Sequence, residues 1–221
     1  MKGIPTYASL LRRNLSPRFL AEIRPALVHY PRNRKVFSSV TTYCMFVGYP
    51  RSGSTLVGAM LDAHPKILIA NEARALRFVR RGLSRGLVYS ILVESNQSFA
   101  KADYQGFGGY TYHIPGQHQG RLEPVRVIGD KRGYFPSSDM VDLEQLVELV
   151  SDVRLVHTVR NPFDSIATHS KKPHTKGSLQ DIVEDFFDVA SALRVIHAYP
   201  VVEHDIVPGQ SPGQTGARGA R

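Results

Sequence analysis

Residues 46–56 read FVGYPRSGSTL, from Phe46 through Arg51 to Leu56, and the fold turns on this stretch. The apolar run before its first glycine, Thr42 to Val47 (TYCMFV), has the length and composition of a buried parallel strand. Thr55 to Ala63 reads as a helix after the turn. A glycine-containing turn between a strand and a helix is where backbone N–H groups and the helix dipole receive an anion. Against the phosphate-loop pattern G-x-x-x-x-G-K-[ST], Gly48 and Gly53 are correctly spaced and Thr55 fills the last position. Ser54 stands where that pattern has lysine, and the positive charge has moved into the loop, to Arg51. Kinases and ATPases need the lysine on the transferring phosphate, usually beside magnesium. The loop therefore suits a phosphate that is held but not cleaved at a β–γ bond.

Working outward, strands alternate with helices. Ile67 to Ile69 and Val125 to Gly129 are short strand candidates, and Val153 to Val159 is another. Arg74 to Val93 is helical in composition, with a break near Gly82 or Gly86. Asp139 to Val150 is an amphipathic helix. In Asn161 to His169, Asn161 supplies the N-cap and Pro162 the first turn. Leu179 to Tyr199 is a long helix with Ile182, Phe186, Val189 and Leu193 on one stripe. This alternation predicts an α/β fold, a phosphate-loop-type parallel sheet flanked by helices. Upstream, residues 8–24 read as a helix that Pro25 and Pro31 break. Tyr104 to Gly120 is glycine-rich, with three Tyr, two His and no charged residue, and reads as an ordered or gated loop.

Composition removes several classes. The chain has 221 residues, 42% of them hydrophobic, enough for one sizeable core and too apolar for a disordered protein. A single cysteine, Cys44, excludes a disulfide scaffold, and its strand position reads as core. No run of eighteen apolar residues predicts a membrane span, and the arginine-studded start is no secretory signal, so a cytoplasmic setting is expected. The net charge of +9 is uneven: residues 1–36 carry +7, the tail from Val207 carries +2, and residues 37–206 are neutral. The chain thus divides into a basic N-terminal segment (1–36), a globular domain (37–206) and a disordered tail (207–221) with two Pro-Gly-Gln repeats. A basic arm can meet RNA or anionic lipid, but it more simply stays solvated, and no nucleic-acid partner is expected.

A resemblance now becomes specific. GYPRSGSTLVGAMLDAHP, Gly48 to Pro65, resembles the 5′-phosphosulfate loop of sulfotransferases that use 3′-phosphoadenosine 5′-phosphosulfate (PAPS). The similarity is to tyrosylprotein sulfotransferases and related bacterial sulfotransferases, and covers roughly Tyr43 to Lys172. It implies that Arg51, Ser52, Gly53, Ser54 and Thr55 bind the donor's 5′-phosphosulfate, with no metal. RLVHTVRNPFDSIAT, Arg154 to Thr168, resembles the family's 3′-phosphate element, an arginine at a strand end and a hydroxyl eight positions later. Arg160 and Thr168 keep that spacing, and Lys172, one turn on, matches a basic position of the tyrosylprotein branch.

Sulfuryl transfer needs a base for the acceptor proton and cations for charge growing on the leaving phosphate. Arg51 is the first cation. MLDAHPKILIANEAR, Met60 to Arg74, resembles the tyrosylprotein pattern in which a glutamate is the base, which implies Glu72 in that role. Glu72 also suits a plain helix N-terminal acid. Arg74 matches an arginine of the same pattern and is placed to contact substrate or Glu72. Lys131, after the Val125–Gly129 strand, is the second cation, matching a lysine the family often carries there. His113 and His118 lack a third ligand and read as loop residues. The uncharged loop, with Tyr104, Tyr110, Tyr112 and His113, suits stacking on an acceptor. That acceptor is a small-molecule, sugar or peptide hydroxyl. The alternatives are a non-catalytic, truncated nucleotide-binding remnant and a P-loop kinase. Only 53 residues follow Thr168, where the family continues through another strand and nucleotide-contacting segment. The chain is therefore expected to be C-terminally incomplete, marginally stable and weakly active.

Overall fold

The computed structural model describes residues 16–106, 110–150, 152–171 and 177–197. Among the described residues four strands form one sheet: β1 (Thr42–Val47), β2 (Ile67–Asn71), β3 (Val127–Lys131) and β4 (Val153–His157). Their order is β2-β3-β1-β4, and every pairing is parallel. Eight helices connect and flank them among the described residues: α1 (Pro17–Val28), α2 (Tyr30–Phe37), α3 (Ser54–Asp62), α4 (Ala75–Arg80), α5 (Arg85–Lys101), α6 (Met140–Leu149), α7 (Pro162–Ser170) and α8 (Leu179–His197). The expected α/β class and parallel sheet are what the chain adopts.

Strand alternation decides what covers each face. Tyr43, Met45 and Val47 of β1 join a large core with Leu76, Leu87, Leu92, Ile128 and Leu146. Cys44 and Phe46 point the other way, to Ile69 and to Val57 and Leu61 of α3. A strand buried on both faces shows no polar alternation, which is why TYCMFV looks continuous. Each fully buried Leu, Ile or Phe contributes about 1.5–3 kcal/mol relative to exposure. Burial pushes the Cys44 thiol up to about 12, so it stays protonated as a core side chain.

The N-terminal helices are part of this core. Phe19, Ile23 and Ala26 of α1 and Val36 and Phe37 of α2 are buried, and both helices pack on α5. Pro25 does not break α1, contrary to the sequence expectation. It lies inside the helix, which runs to Val28. The interruption comes at His29, and Pro31 enters the first turn of α2, where its missing N–H costs nothing. The break in the 74–93 stretch falls around Gly82, between α4 and α5.

All four strands end at the same edge. β1 is followed by the phosphate-loop segment, with β3 on one side of it and β4 on the other. The chain leaves β1 for β2 and β3 in one direction and reaches β4 in the other. That crevice at the strand carboxyl ends is where parallel α/β sheets bind ligands.

Candidate active site

The loop after β1 leads into a helix N-terminus through left-handed turns. Gly53 has φ +96° and directly precedes α3, and Arg51 takes φ +69°, a left-handed conformation that costs a non-glycine residue about 1–3 kcal/mol. These turns lead into the start of α3, where the first backbone N–H groups of a helix lack intrahelical partners and suit an anion. Arg51 has no ion pair among the described residues.

The loop meets the second sequence element directly. The Ser52 hydroxyl lies 2.7 Å from that of Thr158, just past β4. Arg160 Nη1 donates to the Arg51 carbonyl at 3.3 Å, and its Nε lies 3.9 Å from Asp164. The Asn161 side chain caps α7 by accepting from the Phe163 N–H at 2.9 Å. Two motifs more than a hundred residues apart are thereby joined.

Across from the loop, Lys131 Nζ donates to Glu72 Oε1 at 2.8 Å. The Lys131 side chain is 3% exposed and that of Glu72 43%, so a nearly buried ammonium presents a half-exposed carboxylate. Arg51, Ser54, Thr55, Glu72, Arg74 and Lys131 line one cleft of about 680 Å³. Ser52 and Arg160 line a neighbouring, mostly apolar cavity of about 300 Å³ with Tyr49 and Phe186. Thr168 is half-buried on α7 and lines neither space. Lys172 lies outside the described residues.

Glu72 does not cap a helix. It stands two residues before the left-handed Arg74 that precedes α4, and the first turn of α4 holds no acid. The loop readings also change. Tyr104 is buried and stacks on His113 at 5.4 Å between ring centroids, so these two rings engage each other, and of the loop's tyrosines it is Tyr112 that lines the cleft, beside Tyr134 from after β3.

The structure adds residues that sequence reasoning missed. Asn71 ends β2 in the cleft wall, with its Oδ1 buried and unpartnered among the described residues. Arg77, Arg80 and Arg132 also line the cleft, paired with Glu22, Asp142 and Asp139 respectively. Asn71 could have been found from its place beside Glu72. Arg77 and Arg80 carry no local signal, because their partners Glu22 and Asp142 are remote in sequence. Among the described residues no group of three His, Cys, Asp or Glu is placed to hold a metal, and no helix is long and apolar enough to cross a membrane.

Gly58 accounts for the lysine's placement. It lies in the interior of α3, where glycine costs about 1 kcal/mol relative to alanine. A Cβ there would stand 3.1 Å from Lys131 Cγ and 3.3 Å from its Cβ. The aliphatic stem of Lys131 occupies the space a side chain would take. Gly58→Ala should therefore move Lys131 and lower kcat several-fold, while the gain in helix propensity keeps thermal stability near the parent's. Steady-state kinetics beside a thermal melt would check this, and a variant with parental kcat would refute it.

A crevice at the strand ends of a parallel sheet, faced by a carboxylate–ammonium pair and a loop arginine, places the chain among α/β proteins with a glycine-spaced turn between the first strand of the sheet and the helix after it. The particular family follows from comparison. The family model described as "Sulfotransferase family" matches residues 45–199, more than two thirds of the chain. The chain belongs to the sulfotransferase family. A search of the curated proteins gives no match.

Proposed function

We propose that this protein moves the sulfuryl group of PAPS to the hydroxyl of a small-molecule, sugar or peptide acceptor. The observation that carries this reading is the Lys131–Glu72 pair in the same cleft as Arg51, Ser54 and Thr55 of the phosphate loop. PAPS supplies an activated sulfuryl group on a 5′-phosphate leaving group. The residues suit it, since Arg51 has no competing ion pair among the described residues and Lys131 offers a nearly buried charge.

Each side chain then has a defined task. Ser52, Gly53, Ser54 and Thr55 hold the 5′-phosphosulfate through backbone N–H groups and hydroxyls. Arg51 and Lys131 neutralise charge growing on the leaving phosphate and the sulfuryl oxygens. Arg160 and Thr168 receive the 3′-phosphate, with Lys172 as a third ligand. Glu72 accepts the acceptor's hydroxyl proton as its oxygen bonds to sulfur. For Glu72 to turn to the acceptor, Lys131 must trade the carboxylate for the donor, and both residues line the cleft that this exchange requires.

Thermal-shift measurement with PAPS, adenosine 3′,5′-bisphosphate, ATP and AMP tests the donor. A ligand that binds the folded state raises its melting temperature by mass action, so the order of shifts reports the order of affinities. PAPS and the bisphosphate should exceed AMP and ATP. A largest shift with ATP, or equal shifts with the bisphosphate and AMP, would overturn the donor assignment.

A further inference from the structure

Asp130 is fully buried at the end of β3, immediately before Lys131. Its two carboxylate oxygens are both used. Oδ1 accepts from the Ala73 N–H at 3.0 Å and Oδ2 from the Ala75 N–H at 2.8 Å. These two N–H groups straddle Arg74, and that of Ala73 directly follows Glu72. Arg74 and Glu72 both adopt left-handed backbone, with φ of +57° and +56°. Two strained non-glycine residues within three positions persist only when their surroundings hold them. Charge-assisted hydrogen bonds from a buried carboxylate are strong enough to do so.

Strand alternation sends consecutive residues to opposite faces of the sheet. Lys131 runs along Gly58 of α3 on one face, and Asp130 reaches the turn before α4 on the other. The Glu72 N–H also donates to the Lys131 carbonyl at 2.7 Å. The end of β3 therefore grips residues 72–75 through three backbone N–H groups, while the Lys131 ammonium holds the Glu72 carboxylate. The other charged or titratable groups that act on Asp130 are Arg132 on its own chain segment, Tyr43 of β1 and Arg77 of α4.

We propose that Asp130 is a positioning residue, whose carboxylate fixes the strained turn that sets Glu72 against Lys131. Its value for catalysis rests on the reading of Glu72 as the base, but the clamp itself does not. An aspartate that only capped α4 would need the Ala75 N–H alone. The second bond, to Ala73, ties down the peptide next to Glu72.

The test is Asp130→Asn. An amide keeps one acceptor oxygen and turns an N–H toward the other backbone N–H, so one of the two bonds is lost. A carbodiimide joins a carboxylate to an amine in direct contact, forming an amide with loss of one water, and mass spectrometry reads the Glu72–Lys131 cross-link. The parent should give this cross-link. Asp130→Asn should reduce its yield at least about fivefold and speed amide exchange at Ala73 and Ala75 about tenfold or more. Adenosine 3′,5′-bisphosphate affinity should stay within about twofold, and protection of the β1 and β3 amides should persist. A merely structural acid would change stability and leave the cross-link yield of the folded fraction unaltered, and that result overturns the proposal. Should the variant not fold, exchange in the parent decides. Ala73 and Ala75 amides protected like those of the sheet support the clamp, and exchange at unfolded-chain rates refutes it. A parent that forms the cross-link but binds no bisphosphate would remove the donor assignment and support the clamp.

Discussion

Glu72→Gln should lower kcat by roughly 10²–10⁴-fold, the usual cost of removing a general base, while bisphosphate affinity is kept or improves. The two effects separate because Glu72 faces Lys131. A glutamine oxygen can still accept from the Lys131 ammonium, so the nearly buried lysine keeps a partner. The full positive charge then remains for an anionic donor, with no carboxylate to compete. Steady-state kinetics against PAPS and calorimetry with the bisphosphate read the two quantities independently. Unchanged kcat with weakened nucleotide binding would return Glu72 to a structural role and remove it as the base. Lys131→Met should also slow turnover, since charge on the leaving phosphate would be left without the cleft's nearly buried ammonium.

Arg160→Ala should erase most of the preference for adenosine 3′,5′-bisphosphate over AMP. Removing a charge-assisted hydrogen bond to a ligand costs on the order of 2 kcal/mol, about thirtyfold in affinity. The guanidinium is well placed for this. It is tied to the phosphate loop through the Arg51 carbonyl, and it stands a loose 3.9 Å from Asp164. AMP affinity should barely change, because its phosphate meets the loop alone. Calorimetry with both ligands on parent and variant measures the difference. A parent with equal affinities, or a variant that loses both ligands alike, would refute the assignment.

Much of the fold is legible in the sequence because its signals are local. TYCMFV is a strand over the same residues, Thr42–Val47, as its apolar run suggests. Asn161 caps α7 as its position before Pro162 requires. The phosphate loop is readable because a strand, two spaced glycines and a helix lie within about twenty residues. Pro25 misleads because a proline limits the helix only through its own N–H and ring. Burial of Phe19, Ile23 and Ala26 holds α1 together around it. Tyr104 misleads because an aromatic residue in a glycine-rich loop looks available to an acceptor, yet its ring is buried between Phe99 and His113.

The sequence by itself determined the alternation of strands and helices, the glycine-spaced turn between β1 and α3 with Arg51 inside it and Ser54 at the usual lysine position, and the Asn161 cap of α7. Those properties depend on neighbours within a few turns of chain, so residue order alone specifies them. Only the tertiary structure decided which acid meets which cation. Glu72 and Lys131 are 59 residues apart, and they meet because β2 and β3 pair in parallel with Asn71 opposite Lys131. Asp130 faces Ala73 and Ala75 for the same reason, and Gly58 makes room for Lys131 because α3 packs over β3. Electrostatic pairing depends on distance and burial in space, and strand register sets both after the core has closed.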